Sequence, residues 1–381
     1  RQPGDLTGAR GRIMTKKTHS YDVHNILSVV SDVALPELEA FRIDVPVSTP
    51  TIRVRLGAVD EGGTLIPAPG VRTVTYMESP GQRGFAIRLT LGETIEIVAS
   101  PFLRHSPHVL YTNAVEPVLR WAFVERGYAL VHGACLSVNG QAFLITARTD
   151  TGKTTTVLKT LDAHPDYAFL SDDLTLVQED GTVLPYPKPL TISRHTLHAV
   201  NTPLLTPMER FTLFFQSRLH SKSGRWFGLF LTRFKLPMAT TNAIVQWVVP
   251  PPKYHVQRLV PHAEVAPSAM LTGMVVIERG DSRSYDLTHS EAVEMLLANC
   301  EDSYGFPPYD DIKEYLYHTH DRDLRKEERR IVASAMQRCP SIVMRSETRN
   351  WFQMIPDFIA SAEERARAWM PGTIGLEAAS D

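Results

Sequence analysis

The sequence predicts a mixed α/β (α+β) fold, in which a central core lies between a β-rich N-terminal unit and a helical C-terminal region. Three observations support this prediction. Runs of alternating apolar and polar residues fill the first hundred positions, a strand–loop–helix pattern occupies 131–176, and helical periodicity dominates from Ser290 onward. The predicted units are a disordered lead-in at 1–19, a β-rich domain at 20–113, a core at 114–290 with an insertion at 203–250, and a helical region at 291–381.

The composition indicates an ordinary globular protein, with 43% hydrophobic and 22% charged residues. The formal net charge of −2 excludes a globally basic nucleic-acid binder, so no nucleic-acid partner is predicted. Cys135, Cys300 and Cys339 have neither metal-site spacing nor the spacing of a redox pair, which favours a reducing compartment and a cytoplasmic location. The sequence shows neither a signal-peptide core nor an apolar run long enough to cross a membrane.

The N-terminal unit contains five runs in which apolar and polar residues alternate, separated by Pro and Gly. This pattern predicts a mainly antiparallel sheet. The predicted strands cover 40–47, 51–56, 71–77, 85–91 and 94–98. No catalytic residue stands out there, and the unit is expected to present substrate, pack on the core or make a homo-oligomer contact.

The core begins with a helix predicted at 114–127 and continues into two β-rich runs. Asn139-Gly140 separates these runs, and this pair favours a two-residue hairpin turn. The second run leads into the loop ARTDTGKT at 147–154, and Lys153 begins a helix that is predicted to end near His164. This stretch therefore predicts a strand, a tight loop and a helix N-terminus in direct succession.

A loop that joins a strand to a helix N-terminus and ends in Gly-Lys-Thr is typical of nucleotide phosphate binding. The backbone N–H groups and the helix dipole face the anion, the Lys reaches the outer phosphates, and the Thr hydroxyl reaches Mg²⁺. The residues predicted to bind the nucleotide are Ala147, Arg148, Thr149, Asp150, Thr151, Gly152, Lys153, Thr154 and Thr155. The carboxylate of Asp150 repels phosphate unless it points outward or meets a cation.

Asp172 and Asp173 follow the loop by about one helix and one strand, the separation expected for a neighbouring strand. Adjacent side chains on a strand point to opposite faces, so one aspartate is expected to face the phosphates while the scaffold holds the other. The chemistry predicts a general base for an attacking hydroxyl and, together with Thr154, ligands for Mg²⁺. Which aspartate is the base stays open, and a solvated pair in a turn is the alternative.

The insertion at 203–250 mixes aromatic residues with cations. Arg218, Lys222 and Arg225 are candidate substrate-binding residues on a lid over the site. A peripheral contact with anionic lipids at the inner membrane face, through 211–235, is one alternative, and a packed helix with solvated cations is another. Residues 242–249 are predicted to form a strand, and Glu278, at the end of a later strand, is a candidate second metal ligand.

The order of motifs from "HGA" through the Asn-Gly hairpin, the GKT loop and "SDD" to "LPYPKPL" resembles the HPr kinase/phosphorylase-like superfamily. That superfamily shares its nucleotide core with the phosphoenolpyruvate carboxykinases, and the resemblance covers roughly residues 114–195. It implies a P-loop kinase core that uses ATP and Mg²⁺, with Lys153 and Thr154 on phosphates and metal. It also implies that Asp172 or Asp173 is the general base and that His132 lines the reacting phosphate.

The sequence departs from the HPr kinase pattern in two ways, and these departures argue against the HPr protein as the phosphate acceptor. Ala147 and Asp150 stand where HPr kinases have glycines, and the C-terminal signature that grips their protein substrate is not found. The sequence therefore predicts an ATP-dependent kinase whose hydroxyl acceptor is a small metabolite, a sugar or lipid-linked hydroxyl, or a peptide serine. The alternative is a nucleotide-gated binding module whose basic aromatic segment associates with a partner or a membrane surface. The paired aspartates favour the kinase, and Asp150 favours the module.

Overall fold

The computed structural model describes residues 18–59, 71–78, 84–148, 151–192, 237–248, 250, 253–319 and 322–369. Its mixed α/β class is as predicted: helices flank a seven-stranded and a nine-stranded sheet. Several predictions fall outside the described residues, namely Thr149, Asp150, and the basic segment 211–235 with Arg218, Lys222 and Arg225. In the described part of the chain, no helix combines the length and apolar character needed to cross a membrane.

The seven-stranded sheet forms the N-terminal unit, in the order β3-β1-β2-β4-β7-β6-β5. Its strands are β1 His19–Val23, β2 Leu27–Ser31, β3 Arg42–Ile43, β4 Ile52–Leu56, β5 Arg72–Met77, β6 Ala86–Leu91 and β7 Ile95–Ala99. Four of the strand pairs are antiparallel, whereas β2–β4 and β4–β7 are parallel. The first strand begins inside the predicted lead-in.

The strand predicted at 40–47 is wrong for most of its length, because only β3 is extended there. A 3₁₀ helix precedes it at Pro36–Phe41, with Pro36 at its first position, where the missing N–H is tolerated. Leu38 and Phe41 are three residues apart and both buried, so helical spacing serves the core at this point.

The nine-stranded sheet carries the core, and its main path runs β11-β9-β10-β16-β13-β12-β8. Strand β20 pairs in parallel with β16, and β17 pairs with β20. The strands are β8 Tyr128–His132, β9 Ala134–Val138, β10 Gln141–Thr146, β11 Ala168–Ser171, β12 Leu174–Gln178, β13 Thr182–Leu184, β16 Ala269–Arg279, β17 Arg283–Leu287 and β20 Ser341–Ser346. Two short ladders, β14 Leu190–Thr191 with β15 Lys253–Tyr254 and β18 His318–Thr319 with β19 Arg322–Asp323, lie outside this sheet.

Helices cover both faces of this sheet and separate the buried apolar residues into two clusters. The cluster that contains Val157, Leu161 and Phe358 lies beneath α3 and α9, whereas α2, α6 and α8 pack with the larger cluster. The helices are α1 Pro107–Leu110, α2 Glu116–Val124, α3 Lys153–Ala163, α4 Met238–Val248, α5 Val256–Leu259, α6 His289–Ser303, α7 Tyr309–Tyr317, α8 Leu324–Ala335 and α9 Trp351–Trp369.

The local predictions at the centre of the core are confirmed. Strands β9 and β10 form an antiparallel hairpin, and Asn139 and Gly140 both have positive φ, 51° and 76°. Positive φ at both central residues is the geometry of the turn that suits the twist of a two-residue hairpin. Helix α3 begins at Lys153 and ends at Ala163.

Two predictions are corrected by tertiary contacts. Residues 242–248 of the strand predicted at 242–249 lie in helix α4. Its first N–H groups, those of Ala239 and Thr240, donate to the Glu78 carboxylate at 2.8 and 2.7 Å. A carboxylate from the N-terminal unit thus stabilises the positive end of this helix. The region 291–381 is not purely helical, because β20 joins the nine-stranded sheet beside β16.

Replacement of Gly133 by Ala should lower the free energy of unfolding by about 1–3 kcal/mol, the usual cost of overpacking a core. A Cβ atom at this position would lie 2.8 Å from Leu144 Cδ1 and 3.3 Å from the Ile145 carbonyl oxygen. Gly57→Ala is the matched control, since its Cβ would meet Val98 Cγ1 at an ordinary 3.5 Å. Urea unfolding measures both, and equal midpoints for the two variants would contradict the prediction.

Candidate functional site

The predicted phosphate loop follows β10 and ends at the N-terminus of α3. Gly152 has φ 126° and ψ 22°, a left-handed conformation that suits glycine and turns the chain into the helix. The N-cap residue of α3 is Gly152, which has no side chain to cap the first N–H groups. The carbonyl oxygen of Thr151 accepts from the Arg279 guanidinium at 3.3 Å, so the end of β16 holds the loop in place. The N–H groups and the dipole of a helix N-terminus attract anions.

A long antiparallel ladder bends beside this loop. Strands β8 and β9 continue one another through Gly133, and β11 and β12 continue one another through Asp172 and Asp173. The Gly133 N–H donates to the Asp173 carbonyl oxygen at 3.0 Å at the bend, and Thr146, the last residue of β10, donates through its hydroxyl to the His132 carbonyl oxygen at 2.9 Å. The bend therefore lies against the carboxyl end of β10, where the loop begins.

The expectation that Asp172 and Asp173 point to opposite faces is wrong. They lie in the bend and not within a regular strand, and the alternation of side chains is interrupted there. Asp172 is 7% exposed and accepts from the Thr154 hydroxyl at 2.9 Å through Oδ2. The side chain of Asp173 is 44% exposed and lines the same cavity as Asp172. Both carboxylates therefore contribute to one site.

Asp173 is surrounded by cations and by His132. Its Oδ2 accepts from Lys188 Nζ at 2.9 Å, and its Oδ1 lies 3.3 Å from His132 Nε2 and 3.6 Å from Lys153 Nζ. Lys188 also donates to Glu116 Oε2 at 2.8 Å. Because the 3.6 Å separation exceeds hydrogen-bond distance, the buried Lys153 Nζ has no hydrogen-bond partner among the described residues.

These contacts move the pKa values of the two carboxyl groups in opposite directions. Burial raises the pKa of Asp172 to about 6, although Lys153 opposes the change. Burial also acts on Asp173, but the Lys188 ammonium and the hydrogen bond with His132 hold its pKa well below its usual range. Burial and the neighbouring Lys153 lower the pKa of His132, so its imidazole is neutral at pH 7. The site thus places an ionised Asp173 beside a neutral imidazole.

The position of His132 is set by its backbone. Its N–H donates to Cys300 Sγ at 3.1 Å, and the Thr146 hydroxyl that binds its carbonyl oxygen accepts in turn from Asn299 Nδ2 at 3.2 Å. Helix α6 therefore holds the end of β8 through two side chains. His132 Nδ1 is buried and has no hydrogen-bond partner among the described residues.

Two cavities flank the loop. The acidic cavity has a volume of about 390 Å³ and carries four carboxylates. The described residues that line it are Glu37, His108, Thr112, Asn113, Glu116, His132, Thr154, Asp172, Asp173, Leu174, Lys188, Pro189, Leu190, Thr191, Asn242, Gln246, Lys253, Ser303 and Phe306. The arginine cavity has a volume of about 560 Å³. Its described lining residues are Arg148, Thr151, Val276, Ile277, Glu278, Arg279, Met295, Ala298, Asn299, Asp302 and Arg345.

The predicted site residues are mostly brought together. His132, Lys153, Thr154, Asp172 and Asp173 meet at one end of the acidic cavity, with Gly152 at the start of the helix. The small side chain of Ala147 is buried, and Arg148 and Thr151 line the arginine cavity. Thr155 lies in the first turn of α3.

Glu278 does not lie with the paired aspartates. Its carboxylate accepts from Arg345 Nε at 2.8 Å in the arginine cavity, which argues against its role as a second metal ligand. The residues that the sequence did not reveal are Lys188 and Glu116. Lys188 lies within the motif LPYPKPL, and a single Lys flanked by prolines and apolar residues was the signal for a buried cation. Glu116, at the start of a predicted helix, gave no such signal.

The side chains present fit Mg²⁺ only if it binds together with phosphate. Among the described residues, no group of three or more His, Cys, Asp or Glu could hold a metal ion. Mg²⁺ commonly takes one or two protein oxygens and completes its shell with phosphates and water. Thr154 Oγ1 and Asp172 supply such oxygens, and Asp172 Oδ1 is buried without a hydrogen-bond partner among the described residues.

Comparison of the chain with protein-family models and with curated proteins finds no match.

The raised pKa of Asp172 predicts a pH-dependent stability difference. Its ordinary pKa of 3.8 increases to about 6 on folding. The stability that the protonated carboxyl contributes relative to the ionised one is therefore complete below pH 3.8 and is lost as the pH increases through 6. Asp172→Asn removes the buried charge. Without Mg²⁺ it should therefore raise the free energy of unfolding by about 2–3 kcal/mol at pH 7, from roughly 1.4 kcal/mol per pKa unit, and by much less at pH 4.

Urea unfolding at pH 4 and pH 7, in the presence of a metal chelator, measures this difference. Asp162→Asn is the control, since Asp162 is an exposed aspartate on α3. A pH-independent difference between Asp172→Asn and the unmodified protein would show that Asp172 is already ionised at no cost.

Proposed function

We propose that the protein is an ATP-dependent kinase that transfers the γ-phosphate to a hydroxyl acceptor. One observation carries the proposal. The N-terminus of α3, the Thr154–Asp172 pair, and Asp173 with its partners Lys188 and His132 all meet at the acidic cavity. A phosphate donor, a metal and an acceptor can meet there, which phosphoryl transfer requires.

The donor side is supported by the loop and the arginine cavity. The N–H groups at the start of α3 suit the outer phosphates of ATP, and so does the buried Lys153 ammonium, which has no hydrogen-bond partner among the described residues. Arg148, Arg279 and Arg345 line the cavity on the loop's other side, where they would receive the rest of the nucleotide. Thr154 and Asp172 would hold Mg²⁺, which supplies positive charge to the phosphate oxygens when it is bound.

The acceptor side is supported by Asp173. It is the more exposed of the two aspartates, it is ionised, and Lys188 fixes its orientation. In kinases a carboxylate accepts the proton of the attacking hydroxyl. Because the transition state is loose, this carboxylate does not need to be strongly basic. We therefore assign the base to Asp173, and Asp172 to the metal. The imidazole of His132 lies 3.3 Å from Asp173 and would contact the transferring phosphate. Because this imidazole is neutral, it places no further positive charge beside the Asp173 carboxylate.

The test of the proposal begins with nucleotide affinity. Lys153→Met should weaken ATP binding about 10- to 100-fold, since a charge-assisted contact contributes about 1.5–3 kcal/mol. Lys159→Met is the matched control, because Lys159 lies on the same helix and packs over the Phe352 ring at 4.8 Å. Isothermal titration calorimetry with a non-hydrolysable ATP analogue and Mg²⁺ measures both variants. Equal affinities for Lys153→Met and the unmodified protein would refute nucleotide binding at this loop.

A second measurement separates a kinase from a nucleotide-gated binding module. The unmodified protein should convert ATP to ADP faster when a hydroxyl acceptor is present, as shown by a coupled ADP assay and by mass spectrometry of the acceptor. ATP binding without transfer to any acceptor would favour the module.

A further inference from the structure

A second cluster of charged side chains lines the acidic cavity, and it makes no hydrogen bond with the paired aspartates among the described residues. It consists of Glu37, His108 and Lys253, and we call it the Glu37 cluster. Glu37 comes from the 3₁₀ helix of the N-terminal unit, His108 from α1 and Lys253 from β15. Three segments that are distant in sequence therefore form this cluster, and none of them belongs to the predicted nucleotide motif.

Glu37 is the centre of the cluster. It is 1% exposed, and its Oε1 atom contacts both Lys253 Nζ and His108 Nδ1, the latter at 2.5 Å. Although burial disfavours the carboxylate, the hydrogen bond with His108 and the Lys253 ammonium lower the pKa of Glu37 to about 2. Its second oxygen, Oε2, is buried and has no hydrogen-bond partner among the described residues. An ionised, buried oxygen of this kind is costly unless a ligand donates to it.

A second hydrogen-bond acceptor without a partner among the described residues lies on helix α4. Gln246 lines the cavity, and its Nε2 donates to Asn242 Oδ1 at 3.1 Å, whereas its Oε1 is buried without a hydrogen-bond partner among the described residues. Glu78 of the N-terminal unit fixes the start of this helix. Two hydrogen-bond acceptors of this kind in one cavity suit a ligand that donates hydrogen bonds.

The charge of the cavity limits the ligand further. Its described lining residues include four carboxylates and two ammonium groups, and burial lowers the pKa of both histidines. With the Lys153 ammonium, which lies 3.6 Å from Asp173, the described residues leave one negative charge in excess before a nucleotide binds. An acceptor with its own carboxylate or phosphate would be repelled, whereas one with a cationic group would be attracted.

We propose that the acceptor is a small hydroxyl compound that carries a protonated amine, with the amine bound between Glu37 Oε2 and Gln246 Oε1 and the hydroxyl at Asp173. This inference rests on the proposed kinase function. In the step, the hydroxyl oxygen bonds to the γ-phosphorus, the bond from that phosphorus to the bridging oxygen breaks to release ADP, and the hydroxyl proton passes to Asp173. The volume of about 390 Å³ suits a small molecule, since pockets for such ligands measure about 300–1,000 Å³.

Two matched trios of probes test the amine. The first is 3-amino-1-propanol, 1,3-propanediol and 3-hydroxypropanoate, and the second is the corresponding set with five carbons. Saturation-transfer NMR and competition titration on the intact 381-residue chain measure binding without requiring catalysis. In at least one trio the amino alcohol should bind about 10-fold tighter than the diol, from one charge-assisted contact, and the acid should bind weakest. Equal binding within both trios, or tighter binding of the acids, would overturn the inference.

Variants locate the effect. Glu37→Gln should abolish the preference for the amino alcohol while ATP affinity stays unchanged, and Glu39→Gln should preserve it. Glu39 is the matched control because it lies in the same 3₁₀ helix and its side chain is 44% exposed. A preference that survives in folded Glu37→Gln would contradict the assignment. If that variant does not fold, the probe trios on the unmodified protein decide.

The coupled ADP assay separates this inference from the proposed function. Preferential phosphorylation of the amino alcohols supports both. Amine-selective binding that Glu37→Gln abolishes, without transfer to any acceptor, supports the amine site and refutes the kinase. Transfer to diols and acids as readily as to amino alcohols supports the kinase and refutes the amine site.

Discussion

Asp173→Asn is expected to reduce kcat for phosphoryl transfer by about 10³-fold and to leave ATP affinity nearly unchanged. General-base groups typically contribute about 10²- to 10⁴-fold, and the amide of Asn cannot accept the hydroxyl proton. The effect should fall on kcat because Asp173 would act on the acceptor hydroxyl, whereas Lys153, the N–H groups of α3 and the arginine cavity would bind the nucleotide. Single-turnover transfer and calorimetry measure the two quantities separately.

Asp172→Asn is the informative comparison, because it changes the neighbouring carboxylate that bonds to Thr154. It should raise the Mg²⁺ concentration needed for half-maximal transfer, an effect that Asp173→Asn should not share. Full kcat in Asp173→Asn, with loss of kcat at saturating Mg²⁺ in Asp172→Asn, would reverse the two assignments.

The role of Lys188 gives the first prediction a second readout. The Lys188 ammonium keeps the pKa of Asp173 low, so transfer by the unmodified protein at saturating Mg²⁺ should persist at acidic pH. In Lys188→Met the pKa of Asp173 rises, and the acidic limb of the profile of kcat against pH should move to higher pH. An unchanged limb would mean that Asp173 is not the group whose ionisation transfer requires.

Arg120→Met is expected to lower the free energy of unfolding by about 3–5 kcal/mol, the cost of leaving a buried charge without its partner. Arg120 is 2% exposed and binds Glu328 in a fork, through Nε to Oε1 at 2.8 Å and Nη2 to Oε2 at 2.9 Å. Its Nη1 donates to Glu301 Oε2 at 3.1 Å, and its guanidinium lies 4.6 Å from the Trp121 ring centroid. The arginine thereby joins α2 to α6 and α8.

Two further variants separate the charge from the packing. Glu301→Gln should cost less than about 1 kcal/mol, since the Glu301 side chain is 48% exposed and water screens that contact. The double variant Arg120→Met/Glu328→Met should recover most of the loss, because no buried charge remains unpaired. Urea unfolding measures all three. If the double variant is as unstable as Arg120→Met, the loss in free energy of unfolding comes from altered packing and not from an unpaired buried charge.

Much of the core was predictable because it depends on neighbours in sequence. The Asn-Gly turn, the start of α3 at Lys153 and the alternating strands follow from backbone preferences over a few residues. The same reasoning failed for the strand predicted at 242–249, because residues 242–248, which include several with high strand propensity, form part of α4. The Glu78 carboxylate that stabilises its first turn is 161 positions from Ala239, and no local pattern contains that contact.

The sequence by itself determined the mixed α/β class and the order of loop, helix and paired aspartates, because these depend on residue type and spacing. The tertiary structure alone decided that the aspartates share one cavity. The ladder bends where the Gly133 N–H donates to the Asp173 carbonyl oxygen, and the alternation of side chains between β11 and β12 is interrupted there. It also brought Lys188 to Glu116 across 72 positions and Lys253 to Glu37 across 216. Such contacts arise from the pairing of distant strands, and charges so far apart in the chain carry no local signal of the partners they meet.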